Sequence, residues 1–351
     1  MAERNVVVGC DLGDKFTELC ILDPSGTVIE SGRIRTTKHS LETRLARFGR
    51  TRVVLEASTH SRWVAAVLTA AGHEVIVANP RQLRLIWRRP RKTDKSDALM
   101  LAKLGRIDIA LLAPVRHRSH SAHVDLACLR ARDKLVAVRS KLITHVRGTL
   151  KAFGLRVDGQ HANSFPEKAH QVLPAELVPA LAAALDVIRL LNVHIAAHDK
   201  QVDHLATVVY PESARCSQIC GVGPITALAY MLTMEDPTRF KKSRFAGAFF
   251  GLIPAADQSG ESNPQKHITK AGDGFVRKLL VECAHRILSP VTSADSDLRR
   301  WGLKHAESGG PNGRKRAVVA VARKLAVLMH RLWLSGERYQ PIGYSHRELA
   351  A

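Results

Sequence analysis

The sequence predicts an α/β N-terminal domain, a helical coiled-coil hairpin and a mostly α-helical C-terminal domain. In the first third of the chain, short apolar runs bounded by turn residues alternate with helical patterns. Two long segments then carry apolar residues at spacings of three and four, the period of one helix face. Shorter helical patterns separated by glycines follow. We therefore expect an N-terminal domain at 1–115, a hairpin at 116–210, a C-terminal domain at 211–335 and a poorly ordered tail at 336–351.

The first domain is predicted to contain three meandering strands followed by helix, strand, helix and strand. Each strand is an apolar run closed by polar or turn residues, and the turn Asp23–Gly26 contains the proline and glycine that tight turns favour. This is the order of a ribonuclease H-like fold. The predicted strands are Val6–Asp11, Glu18–Leu22, Thr27–Arg35, Val53–Ala57 and His73–Ala78, and the predicted helices are Ser40–Phe48 and Ser61–Ala71.

Two long amphipathic helices are predicted next, from about Asp125 to Phe153 and from Leu181 to Leu205. The apolar spacing of the second helix is close to a heptad repeat. A polar loop at Asp158–Glu167 joins them, which predicts an antiparallel hairpin. The apolar stripes could pack on each other, form an intermolecular coiled coil, or do both.

The third segment begins at Pro211 and contains a predicted helix-turn-helix at Ile219–Ala227, with Gly221 and Gly223 in its turn. Backbone N–H groups at the start of a helix can bind a DNA phosphate without reading sequence, although an ordinary helical corner has the same pattern. The basic residues Lys241, Lys242 and Arg244 follow. Further helices are predicted at Phe245–Phe250, Phe275–Leu288 and Ala317–Trp333.

The charge of the chain points to a polyanionic partner. Lys and Arg number 53 against 32 Asp and Glu, which gives a formal net charge of +21, and the sequence pI is about 10.2. A generally basic soluble surface is the simpler alternative. No stretch approaches the roughly 20 apolar residues that span a bilayer, and the chain enters a strand without a signal peptide. We therefore expect no membrane partner and a cytoplasmic, nucleoid-associated protein.

Four carboxylates are candidate metal ligands. Asp11 closes the first apolar run, Glu56 closes the fourth, and Asp94 and Asp97 are three residues apart, so that on a helix they share one face. Acids that meet in this way repel unless a cation neutralises them, and carboxylate oxygens suit Mg²⁺. Two alternatives stay open. Asp11-Leu12-Gly13 also begins actin-like ATPases, and Asp94 could cap a helix with Asp97 completing a capping box.

A basic segment with one tryptophan precedes the two aspartates. Its charge suits a nucleic-acid backbone and its indole could stack on a base, while a solvated basic face is the alternative. The candidate contact residues are Arg81, Arg84, Trp87, Arg88, Arg89, Arg91 and Lys92.

Ordered motifs along nearly the whole chain resemble the DEDD transposases of bacterial insertion sequences. The motifs are Asp11, Glu56, the block Lys92–Ala98, Gly221–Pro224, Gly251–Pro254, Gln258–Gly260 and Thr269–Gly272. The resemblance implies a RuvC-like N-terminal domain, a coiled-coil linker and a C-terminal domain with a catalytic serine. It also implies recombination directed by a structured non-coding RNA that pairs with donor and target DNA.

Carried across residue by residue, the resemblance makes Asp11, Glu56, Asp94 and Asp97 the Mg²⁺ site and Ser259 the nucleophile. From the residues alone, Ser259 is a loop serine beside a glycine, and Ser262 is a nearby competitor. The implied reaction is strand cleavage through a covalent phosphoserine, followed by exchange and religation. Lys270, in the last motif, joins the nucleic-acid-binding candidates. The implied partners are donor and target DNA, the guide RNA, and further copies of the chain in a dimer or tetramer.

Two other functions fit the same residues. A RuvC-like nuclease would use the acids and Mg²⁺ to hydrolyse branched DNA, with Ser259 incidental. A non-catalytic nucleic-acid-binding protein would use the acids only as helix caps.

Overall fold

The computed structural model describes residues 6–83, 93–159, 161–256, 264, 266–291 and 294–343. These residues form two compact units that divide after His117. The first unit contains a five-stranded sheet, and the helices of the second include a hairpin of two long members. The proposed three-domain division stays a prediction.

The sheet of the first unit has the strand order β3-β2-β1-β4-β5. Strand β2 runs antiparallel to β1 and β3, whereas β4 runs parallel to β1 and β5. This arrangement is the ribonuclease H-like fold that the sequence predicts. The strands are β1 Val7–Leu12, β2 Phe16–Leu22, β3 Val28–Arg35, β4 Arg52–Glu56 and β5 Glu74–Ala78.

Helices cover both faces of this sheet, which explains why its central strands are continuous apolar runs. On one face, Val8 and Cys10 of β1 pack with buried residues of α1 (Lys38–Ala46) and α2 (Ser61–Ala70). On the other face, Val7 packs with residues of α3 (Asp94–Ile107).

The second unit begins with the predicted helical hairpin. Helices α4 (His120–Ala152) and α6 (Val178–His204) pack together, and Val146 and Leu150 share a buried cluster with Leu185. The predicted polar loop is wrong at its end, because Phe165–Gln171 forms a short helix, α5, whose first turn accommodates Pro166. The apolar stripes are therefore used within the chain, and an intermolecular coiled coil stays a prediction.

One helical stretch, Ala175–Val209, is long and apolar enough to cross a membrane by length and composition. The expectation that no stretch approaches this length was therefore wrong. Within α6, Leu181, Leu185 and Ile188 are buried in the hairpin. A single apolar helix is weak evidence for a membrane span, because core helices pass the same test.

The remaining helices surround one large core. Tyr230 of α8 (Pro224–Met234) is fully buried and donates a hydrogen bond of 2.6 Å to the carbonyl of Ala326 in α12 (Gly313–Ser335). Helix α11 was not predicted, although Ser296 supplies a capping hydroxyl for it. The helices are α7 Ala214–Ser217, α8 Pro224–Met234, α9 Phe245–Phe249, α10 Gly274–Ile287, α11 Asp297–Glu307 and α12 Gly313–Ser335.

The start of the tail is fixed onto this core. The Tyr339 N–H donates to Gln218 Oε1 at 2.9 Å, and the Asp297 N–H donates to the carbonyl of Pro341 at 2.8 Å. Tyr339 is itself buried. The prediction of a poorly ordered tail is therefore wrong for residues 336–343, and residues 344–351 lie outside the described part of the chain.

Candidate active site

Asp11 and Glu56 lie at the carboxyl ends of neighbouring parallel strands. The last pair of the β1–β4 register is Cys10 with Leu55, and each acid is the next residue of its strand. Both side chains are half-buried. Functional residues of open α/β sheets collect at this edge, because loops there are carried on rigid strands.

Helix α3 brings the two aspartates to the same edge. Gly105, near its end, faces Val7 at the start of β1 and Val54 in the middle of β4, whereas Ala98 and Ala102 face Gly9, further along β1. The helix therefore runs antiparallel to β1, and its first turn lies towards the strand ends. At Gly9 a Cβ atom would overlap the Ala98 carbonyl, so this approach requires glycine.

The first turn of α3 is capped without the acids. Thr93 Oγ1 accepts a hydrogen bond from the Ser96 N–H at 3.2 Å, and Ser96 Oγ accepts one from the Thr93 N–H at 3.1 Å. This is a reciprocal capping box. The alternative that Asp94 is the cap and Asp97 completes the box is therefore wrong. Asp94 is exposed and Asp97 is buried.

Asp11 influences the buried thiol of its neighbour in β1, Cys10. Burial, with a further contribution from the charge of Asp11, raises the pKa of Cys10 to about 12. Cys10 therefore remains a neutral thiol at physiological pH and is not a candidate nucleophile.

The chemistry of these donors suits a hard divalent cation, because all four are carboxylates. The geometry is less complete. Among the residues that the structure describes, no group of three or more His, Cys, Asp or Glu is placed so that it could hold a metal ion. The four acids thus share one edge without forming a closed ligand set.

A second polar group at this edge was not predicted. His60 Nε2 lies 3.2 Å from Asp14 Oδ1, and Trp63 Nε1 donates to His60 Nδ1 at 3.1 Å. Because Nδ1 accepts, a neutral His60 ring carries its proton on Nε2 and donates it to Asp14. Asp14 follows β1, and His60 follows β4, so the strand-end positions that predicted the acids could also have indicated this pair.

A cleft of about 430 Å³ lies at the opposite edge of the sheet, beside Val7, Arg52 and Glu74. These residues begin or adjoin the starts of β1, β4 and β5. The cleft is therefore separate from the four acids.

The predicted helix-turn-helix at Ile219–Ala227 is correct in its turn and its second helix, α8, but wrong in its first half, because α7 ends at Ser217. Gly221 has φ +95 and faces Ile287, so its conformation serves the turn and its packing. Gly223 precedes α8, is exposed, and has open space where a Cβ would stand. Of the two glycines, Gly223 is the one that a backbone phosphate could approach.

Ser259 lies outside the described residues, and the described residues on the two sides of its segment pair with each other as a stem. Pro254 pairs with Ile268 in an antiparallel bridge. The Ala255 N–H donates to the His267 carbonyl at 2.9 Å, and the Thr269 N–H donates to the Ile253 carbonyl at the same distance. The chain therefore leaves and re-enters this loop at adjacent points.

Close packing and an ion cluster hold the stem against the helices. At Gly251, which has φ +68, a Cβ would overlap the backbone of Ala271. Just beyond the stem, Asp273 Oδ1 accepts from two N–H groups at the start of α10. Its Oδ2 accepts from Arg118 at 3.0 Å and from Arg130 at 2.6 Å. The carboxylate is 7% exposed, so these charged contacts are shielded from water.

The predicted nucleic-acid contacts divide between described and undescribed residues. The Arg81 N–H donates to Asn79 Oδ1 just after β5. Four other basic candidates, Lys241, Lys242, Arg244 and Lys270, are exposed in the second unit. The candidates outside the described residues are Arg84, Trp87, Arg88, Arg89, Arg91 and Lys92.

Two family profiles match separate parts of the chain. The DEDD transposase profile of the IS110 group matches residues 8–154, and the profile described as Transposase IS116/IS110/IS902 family matches residues 213–297. The first range contains the four acids, and the second contains the stem and Ser259.

Transposases of two insertion sequences align with most of the chain. The transposase of insertion sequence IS1111A from Coxiella burnetii is 28% identical over 95% of this chain and 91% of its own length. The IS1328 transposase from Yersinia enterocolitica is 26% identical over 84% of this chain and 87% of its own. The solved structure of Thermus thermophilus RuvC covers 31% of this chain and 99% of its own, with 18% identity and a TM-score of 0.25. Because this TM-score is low, the fold assignment rests on the strand order. The two profiles and the relatives show that the chain is a transposase of the IS116/IS110/IS902 family.

Proposed function

We propose that this transposase cuts and rejoins DNA strands at the ends of an insertion sequence, directed by a structured guide RNA. The observation that supports the catalytic half is that Asp11 and Glu56 follow the last pair of the β1–β4 register, while the close approach of α3 at Gly9 directs its first turn towards the same edge. Neither aspartate of α3 is its capping residue, which favours a chemical role over the non-catalytic alternative.

In this proposal Asp11, Glu56, Asp94 and Asp97 hold Mg²⁺. When bound, the cation neutralises their mutual repulsion and stabilises negative charge at the scissile phosphate. The residues themselves contribute a fixed edge of negative charge in an otherwise basic protein. The half-buried positions of Asp11 and Glu56 strengthen their interactions relative to exposed carboxylates.

Ser259 is the proposed nucleophile. Its oxygen forms a bond to phosphorus as the bond to one deoxyribose oxygen breaks, and the proton lost by the serine balances the proton gained by that leaving oxygen. A hydroxyl of another strand then attacks the phosphoserine and releases the serine. The rigid stem supports this role, because a nucleophile must be held close to its target.

Binding is assigned to the basic residues and to the turn at Gly223. Lys241, Lys242, Arg244 and Lys270 would contact nucleic-acid phosphates, together with the basic segment 81–92. Donor and target DNA and the guide RNA are the proposed partners. Strand exchange needs two cut duplexes, so we also propose a dimer or tetramer, located in the cytoplasm with the nucleoid.

A supercoiled-plasmid recombination assay with the cognate RNA and Mg²⁺ tests this function. Ser259→Ala and Asp11→Asn should each abolish recombination, and Ser262→Ala, in the same loop, is the matched control that should retain it. Recombination by Ser259→Ala would refute the nucleophile assignment. Recombination by Asp11→Asn would refute the metal assignment.

One observation favours hydrolysis as the second candidate. All four acids belong to the first compact unit, whereas Ser259 belongs to the sequence range of the second. A hydrolytic nuclease needs only the first unit. It would leave free DNA ends and no protein adduct on a denaturing gel, and cleavage would survive Ser259→Ala.

A further inference from the structure

A continuous basic surface in the second unit extends beyond the predicted contact residues. Helix α12 contains no Asp or Glu over its 23 residues, and the segment from Pro237 to Ala256 also lacks acids. We call the exposed residues Lys241, Lys242, Arg244, Arg316 and Arg323 the α9–α12 basic face.

Two contacts place these residues side by side. Ser243 Oγ lies 3.0 Å from His330 Nδ1, which fastens the basic segment before α9 onto α12. One helical turn further along α9, a Cβ at Gly247 would lie 2.9 Å from Arg323 Cγ. The stem of Arg323 therefore runs directly beside α9.

Arg316 continues the same surface along α12. It precedes Arg323 by seven residues, which is close to two helical turns, so both residues share one face. The separation along the helix axis is about 10 Å. Along the axis of duplex DNA, one strand carries a phosphate about every 3.4 Å, so this separation corresponds to about three base-pair steps.

The charges of this face are not neutralised within the described residues. No described carboxylate forms an ion pair with Lys241, Lys242, Arg244 or Arg323. Arg316 donates to the carbonyl of Gly309 at 2.8 Å, which orients it without cancelling its charge. By contrast, Arg300 and Arg331 nearby are paired with Asp295 and Glu337.

We propose that the α9–α12 basic face binds the phosphate backbone of duplex DNA without reading its sequence, with Arg316 and Arg323 as contact residues. This inference rests on the proposed function, because it names a surface for the DNA on which that function acts. Release of counterions from the phosphates drives such binding and makes it strongly dependent on salt.

The test measures binding of the full chain to a random 40-base-pair duplex between 50 and 200 mM salt. For Arg316→Gln/Arg323→Gln we expect the slope of log Kd against log salt to fall by about 2, since each lost phosphate contact removes about 0.9. Arg300→Gln/Arg331→Gln removes the same charge from ion-paired residues of the same region and should leave the slope nearly unchanged. Arg323→Lys keeps the charge and should retain the slope, which separates charge from packing.

The outcomes distinguish failure of the surface assignment from failure of the proposed function. If the wild-type chain binds duplex DNA and both double variants have the same slope, the α9–α12 basic face is not the surface. A loss confined to a structured RNA probe, with duplex binding unchanged, also overturns the DNA assignment. If the wild-type chain shows no salt-dependent DNA binding, the proposed function itself fails.

Discussion

The acids and the serine of this transposase are supported in different ways. Asp11 and Glu56 lie at the carboxyl ends of two hydrogen-bonded strands. Helix α3 packs so closely against β1 that only glycine fits at position 9. Ser259 belongs to the segment between the paired residues Pro254 and Ile268. The acids are thus placed by regular elements of the first unit, whereas the described residues on either side of the serine's segment form an irregular stem in the second.

The contrast has a chemical reason. In the proposed reaction the four acids hold a small cation, and such groups need fixed mutual distances, which a sheet edge supplies. Ser259, the proposed nucleophile, would serve two strands in turn, and that role needs a firm base and space to engage each substrate. The stem supplies such a base through Gly251 and through the cluster of Asp273 with two arginines.

The largest effect should come from adding a side chain at Gly9, where α3 packs against β1. In Gly9→Ala the added methyl would overlap the Ala98 carbonyl, and backbone cannot move aside as a side chain can. We expect a loss of unfolding free energy of about 4 kcal/mol or more, measured by urea denaturation. Gly148→Ala, in the open interior of α4, should instead stabilise the chain by about 0.5–1 kcal/mol. Equal effects of the two changes would show that the approach of α3 to β1 is not tight.

The ion cluster at the stem should rank second. Asp273→Asn removes the charge that both Arg118 and Arg130 contact while keeping a side chain that can cap α10. We expect a loss of about 2 kcal/mol in unfolding free energy, because hydrogen bonds to a shielded charge are stronger than neutral ones.

The control for this change is Asp295→Asn, which breaks the exposed pair with Arg300. Solvent screens that pair, so no measurable change in the denaturation midpoint is expected. A wild-type midpoint for Asp273→Asn would mean that the cluster does not hold the stem.

The acid positions could be predicted from sequence because they depend on local patterns. An apolar run that ends in an acid defines a strand end, and parallel strands bring their ends together, so Asp11 and Glu56 follow from short stretches of sequence. The approach of Gly9 to Ala98 joins residues far apart in the chain, and no local periodicity indicates it.

The second unit was harder to predict because much of its structure depends on contacts between residues that are far apart in the sequence. Helix α11 was missed because one of its two buried residues is Gly302, and a glycine inside a helical pattern weakens the prediction of a helix. The order of the tail depends on hydrogen bonds to Gln218 and Asp297, which only the folded chain brings near. Ser259 was named from resemblance alone, because a serine beside a glycine carries no chemical signature of its own.

Removing one helix cap in each unit tests whether the first turn of α3 has a role beyond stability. Thr93→Ala and Ser119→Ala each remove the side chain that caps a helix, and each should cost about 1 kcal/mol in unfolding free energy. Only Thr93 positions the turn that carries Asp94 and Asp97. In the plasmid assay we therefore expect Thr93→Ala to slow cleavage by about tenfold or more and Ser119→Ala to leave its rate nearly unchanged. Equal rates in the two variants would argue that the first turn of α3 plays no part in the chemistry.

The smallest effect should be a dependence of stability on pH, from one buried histidine in each unit. Burial lowers the pKa of His73, which contacts Thr51 Oγ1 at 3.0 Å, and burial likewise lowers the pKa of His330, which contacts Ser243 Oγ and the Pro237 carbonyl. The unfolded chain protonates these rings near pH 6.5 while the folded chain keeps them neutral, so the unfolded state binds more protons just below that pH. The stabilisation is therefore complete above about pH 6.5 and is lost as the pH falls towards the lowered pKa values.

Urea midpoints between pH 8 and pH 5 measure this dependence. We expect His73→Asn and His330→Gln each to be less stable than the wild-type chain at pH 8 and to lose less stability on acidification, by an amount smaller than the loss of a helix cap. Because His330 also fastens the segment before α9 onto α12, acidification should weaken that contact, whereas no such surface depends on His73. If acidification weakens duplex binding equally in His330→Gln, the protonation of this ring does not control binding by the α9–α12 basic face.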